Sequence, residues 1–173
     1  MCFILLGFRY QQHALDKKNT TWLNYNTVEL YILNVAKEYS SEIFDIEQRS
    51  HQNPWSQSIV SSCFSNNHCV MGAFHQQKLV GYWIVSHVLD ETELLNLCVD
   101  VHHQGQGIGK YLMESLSYWL EDNQMSACFL EVRASNKSAI HLYKKFGFIE
   151  TGRRKNYYAC CNGEREDALL MQR

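Results

Sequence analysis

Apolar positions along this chain change period several times, and each change marks an element. Residues 28–35 alternate apolar and polar, the period of a strand packed on one face. Over 40–49 the period lengthens. Ile43, Phe44 and Ile46 fall on one helical face, with Ser40 or Ser41 as the cap. Asn53-Pro54-Trp55-Ser56 holds the only proline and reads as a turn, followed by a second short helix over 56–64. Residues 68–74 and 78–88, rich in Val, Ile, Tyr and Trp, predict a hairpin around Gln76-Gln77. A further strand covers 93–101. Over 107–120, Ile108, Tyr111, Leu112, Leu116, Trp119 and Leu120 share one face of a helix. A short buried strand over 127–132 precedes a helix over 136–146, with Ile140, Tyr143 and Phe146 along one side. Two strands, 148–157 and 167–172, close the chain.

This order predicts an α/β fold with a mixed, mostly antiparallel central sheet and helices on both faces. Residues 1–28 show no sustained period and carry a polar stretch, so they read as an N-terminal extension, loosely packed on a domain spanning 29–173.

Composition narrows the function classes. At 173 residues the chain suits one domain with a real core. A net charge of -2 gives no global basic footprint, so no nucleic acid is expected as a partner. The seven cysteines are odd in number and contain no C-x-x-C pair, which argues against a disulfide framework and a zinc site. The adjacent His102-His103 has no cysteine at ligand spacing, so no metal is expected. A reduced, cytoplasmic setting follows most simply. The apolar start, residues 1–8, is too short to span a bilayer and lacks a basic lead, so no membrane association is expected.

The candidate chemistry lies between residues 97 and 148. Gln104-Gly105-Gln106-Gly107-Ile108-Gly109 follows an apolar strand and opens a helix. Free N–H groups at a helix N-terminus attract phosphate, glycines allow close approach, and Lys110 adds a cation. The competing motifs fit less well. A dinucleotide fingerprint needs glycine where Lys110 stands, and a Walker loop needs Ser or Thr at Tyr111. A tight strand-to-helix turn without a ligand is the other reading. Glu131 sits among Phe129, Leu130 and Val132, where a carboxylate is costly unless used or paired. It is either a general base or the partner of Arg133 or another cation. Tyr143 is either a core aromatic or a proton donor. Asn136 is either the cap of its helix or a cofactor contact. Cys98, between Leu97 and Val99, reads as a small apolar filler rather than a nucleophile.

Taken together, these residues resemble the GNAT N-acetyltransferase family. Its Q/R-x-x-G-x-G/A motif is matched by Gln104, Gly107 and Gly109, and Tyr143 with Gly147-Phe148 is a typical ending. Ile46-Glu47-Gln48-Arg49-Ser50-His51, Pro54-Trp55-Ser56, Leu130-Glu131-Val132-Arg133-Ala134-Ser135-Asn136, Asn156-Tyr157-Tyr158 and Arg165-Glu166-Asp167-Ala168 look most like the bacterial ribosomal-protein alanine acetyltransferases of the RimI type. Ala159 stands where those proteins often carry proline, and Cys160-Cys161 with an inserted residue near Glu164 alters the same loop.

The resemblance implies a sheet with splayed strands and acetyl-CoA in the cleft. The backbone of Leu97, Cys98 and Val99 would hold the pantetheine arm. Gly105, Gln106, Gly107, Ile108, Gly109 and Lys110 would hold the pyrophosphate, and Asn136 would add a contact. Glu131 becomes the general base and Tyr143 the acid. The implied reaction is direct acetyl transfer to the N-terminal alanine of a small-subunit ribosomal protein. The alternatives are a lysine side chain or small polyamine as acceptor, and a CoA-binding sensor without turnover.

Overall fold

The computed structural model describes residues 21–25, 28–160 and 163–173. Eight strands form one sheet in the order β1-β2-β3-β4-β5-β6-β8-β7. They are β1 (Thr21–Tyr25), β2 (Val28–Asn34), β3 (His68–His75), β4 (Lys78–Val88), β5 (Glu91–Val99), β6 (Ala127–Arg133), β7 (Ile149–Ala159) and β8 (Arg165–Gln172). Every neighbouring pair is antiparallel except β5 and β6. Among the described residues four α-helices accompany them: α1 (Ser40–Ser50), α2 (Gln57–Ser62), α3 (Ile108–Asp122) and α4 (Lys137–Lys145).

The helical stripes read from the sequence decide the layering. Ile43 and Ile46 of α1 and Val60 of α2 bury against Val70, Tyr82, Ile84 and Cys98 on one face of the sheet. Leu112 and Leu116 of α3, with Ile140 and Tyr143 of α4, bury against Trp83, Val85, Leu94 and Leu130 on the other. Trp83 donates its indole N–H to Ser115 Oγ at 2.8 Å, so the one polar atom of this buried ring is satisfied.

Several boundaries differ from the periodic reading, each for a local reason. The β3–β4 hairpin does turn where the sequence placed it, at Gln76 (φ 48°) and Gln77 (φ 66°), the double left-handed pair that a two-residue turn requires. Strand β5 stops at Val99 rather than 101. Asp100 accepts from the N–H of His102 at 3.0 Å and starts a short 3-10 turn over Val101–His103. Strand β1 lies within the stretch read as an extension and adds an edge to β2, with Thr21 opposite Ile32 and Tyr25 opposite Val28. The rest of that extension up to β2, residues 1–20 and 26–27, lies outside the described residues.

The site is positioned by an irregularity at the centre of the sheet. Between β4 and β5 the register shifts, Ile84 opposing Asn96 while Val85 opposes Leu94, so Leu95 is an extra residue. The parallel pairing of β5 with β6 ends at the same height, at Leu94 opposite Leu130. Beyond it β5 continues beside β4 and β6 beside β8, and a gap opens between them.

Candidate active site

One wall of the gap is the bare edge of β5. The N–H of Asp100 donates to Val80 O at 2.9 Å. Backbone groups of an antiparallel strand alternate sides, so those of Cys98 join Tyr82 in the ladder while those of Leu97 and Val99 face the gap. Gln104 confirms the direction, since its amide donates to Val99 O at 3.0 Å. The N–H of Val99 is left pointing into the gap. The Cys98 side chain packs on the α1 face of the sheet. Burial, aided by Glu47, pushes its thiol up to about 12, so it carries no thiolate at neutral pH and is no nucleophile.

At the end of β5 the chain turns through the glycines into α3. Gly105 (φ 74°) and Gly107 (φ 85°) are left-handed, and Gly107 is the N-cap of a 15-residue helix. A Cβ at either would touch nothing within 4 Å, so the demand for glycine is conformational rather than steric. Among the described residues, the N–H groups from Gly105 to Gly109 meet no protein acceptor; the first helical bond runs from Lys110 N–H to Gly107 O, at 3.0 Å. Unpaired N–H groups at the positive end of a helix suit an anion. Ile108 contributes only its backbone, because its side chain is buried in the core. Lys110 is 64% exposed and pairs with Glu114 at 3.3 Å, one turn along α3. Gly107→Ala is expected to weaken acetyl-CoA binding about 5- to 30-fold, the equivalent of the ~1–2 kcal/mol left-handed penalty, measured by calorimetric titration. An unchanged Kd would show that the turn does not need its left-handed shape.

The opposite wall is β6 with α4 behind it. Glu131 follows the last paired residue, Leu130, with its side chain 20% exposed, and Arg154 of β7 lies 3.2 Å from its carboxylate. The expected partner Arg133 is engaged elsewhere, with Glu166 at 2.8 Å. Tyr143 is buried, its ring tilted against Phe148 at 5.9 Å. Its hydroxyl makes no hydrogen bond among the described residues. Burial, then Tyr158 and Cys98, holds that phenol well above its ordinary range. Tyr158 is electrostatically coupled to both Tyr143 and Glu131; burial first and then Glu131 raise its own hydroxyl. Asn136 caps α4 by accepting from Ala139 N–H at 3.1 Å, and its Oδ1 also takes the Ser138 hydroxyl. Its amide N–H groups donate to no acceptor among the described residues. Sequence reasoning missed Arg154 and Tyr158 as neighbours of Glu131. Only the β6–β8–β7 register brings them there.

The mouth of the gap is framed by the loop after α1 and by the end of β7. Asn53 donates to Ala159 O at 3.0 Å, and Arg133 donates to the same carbonyl at 3.2 Å while stacking over the Tyr158 ring at 4.4 Å. Cys160 follows that carbonyl, and Cys161 lies outside the described residues.

Splayed parallel strands beside a glycine-built cradle define a shape, and the matches agree with it. Residues 38–148 match the family model described as the acetyltransferase (GNAT) family. This chain belongs to the GNAT family. Its similarity extends to the alanine N-acetyltransferase of ribosomal protein bS18 from Escherichia coli K12, 41% identical over 128 residues, which covers 74% of this chain and 86% of that protein. The Haemophilus influenzae protein of the same name is 36% identical over 129 residues, covering 75% and 88%. The crystal structure of the Escherichia coli enzyme superposes with a TM-score of 0.80 at 37% identity, covering 83% of this chain and 92% of that one.

As a GNAT acetyltransferase the chain uses acetyl-CoA, whose thioester supplies the activated acetyl group. The residues present fit that cosubstrate. The cradle suits a pyrophosphate, and the bare edge at Leu97 and Val99 suits an amide-bearing arm. Among the described residues no cluster of three or more His, Cys, Asp or Glu could hold a metal, and no helix is long and apolar enough to cross a membrane.

Proposed function

We propose that this GNAT enzyme acetylates the α-amine of an N-terminal alanine on a small-subunit ribosomal protein, the counterpart of bS18. The observation that carries the reading is the similarity to enzymes named for that reaction, which spans 86% of the Escherichia coli protein. The cytoplasm, where such a substrate is made, is its expected place.

The roles follow from the walls of the gap. Glu131 accepts a proton from the acceptor amine, directly or through a water. The inward N–H of Val99 stabilises the oxyanion as the amine attacks the thioester carbonyl. Tyr143 returns a proton to the departing thiolate. No acetyl-enzyme forms, which agrees with the raised Cys98 thiol. An α-amine asks little of the base: at a pKa of ~7.7–8.0 it is roughly 10–17% neutral at pH 7, against about 0.04% for a lysine. A carboxylate held by Arg154 therefore suffices as acceptor.

The test is CoA release from acetyl-CoA with three acceptors: a peptide copying the alanine-starting ribosomal N-terminus, an N-blocked lysine peptide, and spermidine. Release with the first alone is expected. Release only with lysine or spermidine keeps the chemistry and overturns the acceptor. Tight acetyl-CoA binding without release from any acceptor supports a CoA-binding sensor instead.

A further inference from the structure

The last turn of α1 carries a carboxylate where an apolar side chain would pack more cheaply. Glu47 is 1% exposed. Its Oε1 accepts from the Tyr82 hydroxyl and from Asn96 Nδ2, and its Oε2 accepts from the Trp55 N–H at 3.1 Å. His51 Nε2 stands 3.6 Å away. A buried charge with this many donors adds little net stability compared with a well-packed hydrophobe, so its use lies in what it joins.

The donors divide by origin. Tyr82 and Asn96 belong to β4 and β5, the rigid centre of the sheet, and Asn96 immediately precedes the Leu97–Val99 edge. Trp55 belongs to the loop that frames the mouth and reaches Ala159 through Asn53. Neighbouring residues tie the same turn to the other end of the cofactor strand. Arg49 pairs with Asp100 at 2.5 Å, and Ser50 Oγ accepts from Val101 N–H at 3.2 Å.

We infer that Glu47 is a positioning residue: it fixes the loop over residues 51–56 relative to the Leu97–Val99 edge, and so sets where the acceptor amine meets the thioester. The inference rests on the acceptor reading above, but its structural part can be tested without turnover.

Glu47→Gln keeps the shape and makes the point sharply. With the amide oxygen toward Tyr82 and Asn96, the NH₂ faces the Trp55 N–H, donor against donor, and the loop is released. Adding Asn96→Asp gives that NH₂ an acceptor on β5 and turns the oxygen back to Trp55, with the net charge unchanged. We expect Glu47→Gln to raise the peptide KM about tenfold, as the loss of one buried hydrogen bond to a charged group implies, and to leave acetyl-CoA affinity within about twofold. The double variant recovers most of the KM. Hydrogen exchange over residues 51–56 accelerates in the single variant and slows again in the double. Tyr82→Phe, which leaves the Trp55 contact intact, holds the peptide KM within about threefold.

An unchanged KM and unchanged exchange in Glu47→Gln would overturn the inference. So would equal weakening of both substrates without rescue, because that marks a general loss of stability. If Glu47→Gln does not fold, protection of the loop in the double variant and in Tyr82→Phe carries the test; faster exchange in both would also overturn it. A wild-type enzyme inactive on the peptide would instead overturn the acceptor assignment, with the exchange result standing by itself.

Discussion

Glu131→Gln is expected to lower kcat on an N-terminal alanine peptide by about 10²- to 10³-fold at pH 7, the usual worth of a positioned general base. Acetyl-CoA affinity is expected to hold, since the cradle and the β5 edge lie on the other wall. Glutamine keeps the volume beside Arg154 but has no basic oxygen. The pH dependence identifies the role. As pH rises past the α-amine pKa of ~7.7–8.0, solvent removes the proton and the deficit shrinks. Rates of both enzymes from pH 6 to 9 at saturating acetyl-CoA would show the two converging. A deficit of constant size would mean that Glu131 serves to hold Arg154, 3.2 Å away, rather than to take a proton. A loss below about threefold would remove it from the chemistry.

Tyr143→Phe is expected to cost about 10²-fold in kcat, and here the loss is flat from pH 6 to 9. Burial holds the phenol far above its ordinary range, so it stays protonated throughout that window. A weak acid in water would be a poor donor to a thiolate. Tyr143 donates only as the carbon–sulfur bond breaks and negative charge builds on the leaving sulfur. The substitution also separates chemistry from packing. The hydroxyl has no hydrogen-bond partner among the described residues, so phenylalanine breaks no hydrogen bond of the fold. Tm is expected to stay level or to rise slightly in a thermal melt. A fall in Tm matching the fall in rate would make Tyr143 a core residue.

Much of this was legible in the chain because it is written locally. The helical faces of α3 and α4 and the Val, Ile, Tyr and Trp richness of β3 and β4 need only neighbours in sequence. The glycine turn needed only the knowledge that left-handed backbone and free N–H groups suit a phosphate. The gap was implied by the family resemblance, but no local pattern in the residues places it. It depends on one extra residue, Leu95, and on where the β5–β6 pairing ends, and register is a property of two strands. For the same reason Glu131 was given Arg133 or an unspecified cation, and its partner proved to be Arg154, two strands away. Lys110, read as a cation for phosphate, also lies 3.3 Å from Glu114, a neighbour that its i,i+4 spacing provides. The short strand β1 has no period long enough to announce itself, and it forms by completing an edge that β2 leaves open.

Ala159 links the two sides of the mouth through its main-chain oxygen alone. Every amino acid brings that atom, so the clasp made by Asn53 and Arg133 survives whatever residue evolution places there. Alanine leaves the backbone here freer than a proline would, while the anchor stays put. The stiffness of the tip and its attachment to the mouth therefore rest on different atoms of one residue.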